Sequence, residues 1–325
     1  MLWFRAHETG NGKAAQDYAQ LLGDLLDRSM AVKTDESKMS PEARHYRNIV
    51  RNFRPFLKGS APEQELVAAL YAPDILNDKA IHIMERALAK ASLKPEQTGL
   101  VDILIAGRLV SMKKTQEAYQ RLLARSEKGP FTFPMVQTLL EIARSGDIKA
   151  EQLKPLLTRL EQSEMEERLS LLAEIKNLLG DREGAEKVFH QWLKKPSANG
   201  LTENNFAWFY FTTGRSNQEA LQLAQSATES AKESVANLNT LASIQAELGM
   251  TDDAVATQMQ YRALLGERDL GAADDLVTAI NAEKLGLQDT ALKRLKQIKL
   301  EPETSDLKPL LHAKIQQLEK GSKAR

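Results

Sequence analysis

Four glycines keep a near-constant step through the second half of the chain: Gly180, Gly214, Gly249 and Gly286 follow one another at intervals of 34, 35 and 37 residues. Seven residues before each stands an alanine, at Ala173, Ala207, Ala242 and Ala279. Five residues after it stands another, at Ala185, Ala254 and Ala291, with Ala220 one residue late in the stretch GRSNQEA. Glycine supplies the tight turn that closes one helix before the next, and small residues on both sides let two antiparallel helices approach closely. One such trio is weak evidence, whereas four in register predict a tandem array of helix pairs.

The hydrophobic pattern agrees. EERLSLLAEIKNLL and LVTAINAEKLG place apolar residues at helical spacing, and no segment alternates apolar and polar residues between turn signals. Apolar stretches of about a dozen residues are separated by short breaks rich in Gly, Asn, Asp, Ser or Pro. The expected fold class is all-α.

At these residues the chain resembles the tetratricopeptide repeat (TPR) family. LLAEIKNLLGDREGAEKVFHQWLKKP, residues 171–196, carries the family pattern in Ala173, Gly180, Ala185, Phe189 and Pro196, and NNFAWFYFTTG and NLNTLASIQAELG are similar to successive first helices. The resemblance implies a right-handed superhelical α-solenoid of antiparallel helix pairs. The chain departs from the pattern at Trp192, where the family has a small residue, and in repeats longer than 34, which suggests irregular curvature. The clearer repeats span 166–302. Degenerate pairs are expected over 61–165, including a pair over 61–91 with Ala80 and Ala87 on its second helix, and Gly146 stands 34 residues before Gly180. A C-terminal capping helix and polar tail are expected over 303–325, and N-terminal helices over 1–60.

Residues 206–211 hold five aromatics in a chain that is only 6% aromatic. On a helix, Asn204, Trp208 and Phe211 share one face, while Phe206, Phe209 and Tyr210 point elsewhere. The resemblance implies that the first-helix face lines a concave groove that takes an extended or helical peptide. Asn204, Asn205 and, one repeat later, Asn239 would then hydrogen-bond its backbone, with Trp208 and Phe211 as apolar anchors. The competing reading is packing: Ser243 and Ala246 stand at the corresponding positions of the next helix and leave room for both rings, and an aromatic stripe at helical spacing is commonly core. Both readings stay open on sequence alone.

A second constellation lies in ARHYRNIVRNFRPFLKG. Arg44, Arg47, Arg51, Arg54 and Lys58 recur at steps of three and four and form one basic stripe on a helix, a candidate grip for nucleic acid, lipid headgroups or another anionic partner. The alternative is a solvated face balanced by acids of neighbouring helices. Pro55 threatens the helix inside the stripe because it removes a backbone donor and clashes with the preceding turn. Upstream, Trp3 and Ala15 flank Gly10 at the repeat's own offsets, and Leu2, Trp3 and Phe4 do not form a polar cap. The expectation is either that the chain is part of a longer protein, with a partner or neighbouring domain covering this end, or that a short helix packs on the next repeat.

Composition removes other classes. The 44 basic residues balance the 44 acidic ones, so no global field favours nucleic acid. With no cysteine there are no disulfides, thiolate metal sites or cysteine nucleophiles, and extracytoplasmic location stays compatible. The N-terminal residues lack a signal peptide's apolar core, and no run approaches a membrane span. His7, His45, His82, His190 and His312 show no metal-binding spacing, and no phosphate-binding or nucleophile motif is present. The expectation is a non-catalytic protein-binding scaffold with no cofactor, whose exposed ends permit self-association.

Overall fold

The computed structural model describes residue 51, residue 53 and residues 55–56, and then residues 61–323 apart from 71–76, 91–92, 129–130, 146, 166, 196–199, 267–270 and 301–305. The described residues form fifteen helices and no strand. They divide into two compact units, with the boundary between Ala143 and Arg144.

In the first unit, α1 (Ala61–Leu70) pairs with α2 (Asn77–Lys90), and α3 (Pro95–Ser111) pairs with α4 (Thr115–Lys128); α5 (Phe133–Arg144) ends at the boundary. On α2, Ala80, Ile83, Met84 and Ala87 are all buried, the i, i+3, i+4, i+7 stripe that pins a helix to its neighbour. Pro95 opens α3 at a position where its missing N–H costs nothing. Arg108 ties α3 to the preceding pair: its guanidinium donates to the Asn77 side chain at 2.6 Å and to the carbonyls of Ala69 and Leu70 at 3.0 and 3.2 Å. Those carbonyls end α1 and have no intrahelical partner, so a cation there satisfies them and complements the helix dipole.

The second unit opens with α6 (Ala150–Glu161) and continues through α7 (Arg168–Leu178), α8 (Arg182–Trp192), α9 (Leu201–Thr212), α10 (Gln218–Ser230), α11 (Val235–Glu247), α12 (Thr251–Leu265), α13 (Gly271–Lys284) and α14 (Gln288–Gln297), and ends with α15 (Lys308–Lys323). The pairs α7/α8, α9/α10, α11/α12 and α13/α14 are in contact, and first helices also touch across pairs, α9 with α11 and α11 with α13.

The periodic glycines sit at the turns inside these four pairs. Gly180, Gly214, Gly249 and Gly286 have φ of 79°, 69°, 76° and 79°, left-handed values that a side chain would oppose. The same hydrogen bonds recur at each. In the first, Gly180 N–H reaches the Asn177 carbonyl at 2.9 Å and Asp181 N–H reaches that of Lys176 at 2.9 Å. In the last, Gly286 N–H reaches Glu283 and Leu287 N–H reaches Ala282, so each first helix ends in a Schellman motif that satisfies its last carbonyls. All eight alanines of the pattern are completely buried, as close helix approach requires. Ala220 comes late because the turn after Gly214 runs on to Asn217, whose side chain caps α10 by accepting from Ala220 N–H at 2.8 Å, whereas Asp181 caps α8 directly after Gly180.

Candidate functional site

The aromatic run of α9 divides between two sides of the helix. Phe206, Phe209 and Tyr210 pack toward α8, where Phe189 stacks on Phe206 with centroids 4.8 Å apart and planes 5° from parallel, and Phe206 stacks on Tyr210 at 4.7 Å. Trp192, the departure from the repeat pattern, extends the stack by lying on Phe189 at 6.1 Å. This is core, and Tyr210 carries a polar edge out of it. Its hydroxyl lies 2.8 Å from Glu186 and 3.1 Å from Glu219, and Arg215 holds Glu186 at 2.7 Å. Burial and the two carboxylates push the Tyr210 hydroxyl above its ordinary pKa. Burial raises Glu186 too, but the Arg215 and Tyr210 hydrogen bonds outweigh it and leave that carboxyl below its ordinary value.

Trp208 and Phe211 form the other side, with ring centroids 5.3 Å apart. Phe211 is completely buried and Trp208 partly exposed. What lies against this side is the chain's own C-terminal segment. Leu307, Leu310, Leu311, Lys314 and Leu318 are all buried and share one stripe of α15 and the turn before it. The Trp208 indole Nε1 donates to Asp306 Oδ2 at 2.6 Å. A Cβ placed on Gly214 would lie 3.9 Å from Leu310 Cδ1, so that leucine rests on the turn closing α9. Lys314 Nζ meets Glu247, the last residue of α11, at 2.8 Å and Glu283 of α13 at 3.3 Å. Glu319 meets Lys296 of α14 at 2.6 Å. Along its length the segment therefore engages α9, α11, α13 and α14 in chain order.

Two of these contacts are electrostatically costly to leave incomplete. The Lys314 side chain is 8% exposed, and its two glutamates are 15% and 14% exposed. Removing the ammonium leaves two carboxylates facing one another with little solvent, which is why a cation there is a requirement of the surface and not an ornament. Burial pushes the Asp306 carboxyl above its ordinary pKa, against the lowering effects of the Trp208 N–H and of Arg144. Asp306 Oδ1 meets no hydrogen-bond donor among the described residues.

The predicted peptide-binding residues are distributed as follows. Trp208 is engaged by Asp306, and Phe211 packs beneath it. Asn204, Asn205 and Asn239 are half-buried. The side-chain oxygens of Asn204 and Asn239 are shielded from solvent and find no partner among the described residues, as does one oxygen of Glu203. Of the basic stripe, Arg51 is helical and exposed, and Pro55 stands in a short 3-10 turn. Arg44, Arg47, Arg54 and Lys58 lie outside the described residues. Sequence reasoning missed Asp306, Leu310, Lys314, Glu247 and Glu283. The available signal was Lys314 itself, a lone charge in the middle of the apolar stripe from Leu307 to Leu318, which demands an acidic partner from another helix.

Two further charged clusters among the described residues join neighbouring helices. Asp274, at 4% exposure, accepts from Arg262 at 2.6 and 3.1 Å, from Gln258 at 3.0 Å and from the Tyr261 hydroxyl, locking α12 to α13. Asp102 on α3 faces Arg121 at 3.1 Å and Arg125 at 2.9 Å on α4. Among the described residues no group of three His, Asp or Glu could hold a metal ion, and no helix is long and apolar enough to cross a membrane. No family model matches the chain, and no curated protein matches it.

Proposed function

We propose that this chain is a non-catalytic interaction scaffold that holds a segment of a partner protein, or of a neighbouring domain of its own parent chain, on the face formed by α9, α11 and α13. One observation carries the reading: that face already seats a helix, with an indole donor at one end matched by a carboxylate acceptor and a pair of carboxylates at the other matched by an ammonium. In a TPR-like right-handed superhelix, the family this chain resembles, the same positions line the concave groove, and the array supplies area while a few anchors supply affinity.

The test is affinity capture from native lysate with the wild-type chain and with Trp208→Ala, folding of the latter being checked by circular dichroism. The reading expects a specific protein held by wild type and lost by the folded variant. Retention at wild-type yield would remove this face from the binding function.

A further inference from the structure

Resting on that reading, we propose that the C-terminal segment Asp306–Lys323 is a built-in competitor, and that the partner it excludes is a helix, with the turn before it, presenting the same three groups at the same spacing: a hydrogen-bond acceptor such as a carboxylate, an aliphatic residue four positions on, and a cation four positions further. The three are Asp306, Leu310 and Lys314 in this chain.

An occupant that replaces α15 must satisfy the polar groups it covers. An occupant that covers the Trp208 N–H without offering an acceptor leaves that donor shielded and unpaired, which is costly. An occupant that covers Glu247 and Glu283 without bringing a cation leaves two poorly solvated like charges to repel. An occupant that lacks either group therefore cannot displace the segment at low cost. An occupant that brings both, with an apolar residue between them to lie where Leu310 rests by Gly214, restores the indole hydrogen bond, the Leu310 contact and the Lys314 ion pairs. Leu310 and Lys314, four apart, lie on one face of α15, and Asp306 stands in the turn directly before it. The charge order fixes direction as well, since a helix laid in reverse sets its carboxylate against the glutamates and its cation against the indole N–H.

Being part of the same chain, the resident helix acts at an effective concentration on the order of millimolar. Access is thus governed by how firmly Lys314 and Asp306 are held, and a free peptide competes poorly until that hold is weakened.

The experiment titrates a labelled synthetic peptide of residues 306–323 against three full-length chains, followed by fluorescence anisotropy: wild type, Lys314→Glu, and the milder Lys314→Gln. The peptide is expected to bind Lys314→Glu at least tenfold more tightly than wild type, with Lys314→Gln between them. Adding Trp208→Phe to either variant should weaken that binding, and a peptide carrying Lys314→Glu should not bind at all. Equal affinity for all three chains, or binding to none of them while their helical circular dichroism is intact, overturns the proposal. Light scattering on the same samples decides the remaining occupant: a doubled mass that appears only in the Lys314 variants without peptide would make the partner a second copy of this chain, against the proposal. Failure of the peptide to bind, together with lysate capture that still depends on Trp208, would sink the competitor and leave the scaffold standing.

Discussion

Trp208 donates its indole N–H to Asp306 Oδ2 at 2.6 Å, a bond that spans 98 positions of chain and fixes the C-terminal segment on α9. The carboxylate is the costly partner in this pair, because burial raises its pKa. Asp306→Asn keeps an acceptor for the indole and removes the buried charge, so it should leave thermal stability equal to wild type or higher. Asp306→Leu should lose about 1–3 kcal/mol, the cost of stranding a buried donor. The same cause gives a pH dependence. A carboxyl whose folded pKa lies above its unfolded value binds its proton more tightly when folded. Its favourable contribution is complete below the ordinary value of 3.8 and fades as pH rises through the folded value. Urea midpoints of wild type and Asp306→Asn compared between pH 7 and pH 4 should show wild type gaining on the variant as pH falls. A difference independent of pH would contradict this.

Lys314 is held between two carboxylates with 8% of its side chain exposed. Removing one member of a buried ion cluster typically costs about 3–5 kcal/mol. Lys314→Met should therefore be strongly destabilising to α15 although it preserves the apolar stem. Adding Glu247→Gln to that variant should restore part of the loss, and simple additivity of the two substitutions in urea unfolding would show that the contact carries no coupling.

The two sides of α9 should respond differently to truncation. Phe206 is completely buried and stacks on both Phe189 and Tyr210, so Phe206→Ala should cost about 3–5 kcal/mol. Trp208→Phe keeps an aromatic ring and removes only the N–H, and should cost about 1 kcal/mol. Comparable losses for the two would place Trp208 in the same core as Phe206.

Asn281, on α13, is 5% exposed, and neither atom of its amide finds a hydrogen-bond partner among the described residues. A buried polar group in that condition costs more than the apolar side chain of similar shape that replaces it. Asn281→Leu should raise stability by about 1 kcal/mol, read as a higher unfolding midpoint at unchanged slope. A loss of similar size would mean the amide is satisfied in solution.

The fold was legible wherever a physical requirement repeats. Gly180, Gly214, Gly249 and Gly286 need left-handed backbone, and the alanines beside them need close helix approach, so spacing alone disclosed the four pairs. Asn204, Trp208 and Phe211 were placed on one helix face by the same arithmetic, with Asn239 one repeat later. Sequence did not disclose what covers that face. Asp306 and Lys314 have no periodic counterpart, and their partners lie 98 positions away for Asp306 and 31 for Lys314 at Glu283. A solitary lysine in an apolar stripe announces a partner without naming it, because the pairing is set by how the pairs stack and not by any local pattern. Phe206 and Phe211 also look alike by composition, and only the placement of α8 tells that Phe206 packs against it.

The most direct measurement of the central claim is the ¹H–¹⁵N spectrum of the three tryptophan indoles in the full chain, with Trp208→Phe assigning the resonance. The account predicts that the Trp208 indole proton is downfield and slow to exchange, and that Asp306→Leu moves it upfield and speeds its exchange while the other two indoles stay in place. A Trp208 resonance that is indifferent to Asp306→Leu would mean that the C-terminal helix is not seated on this face.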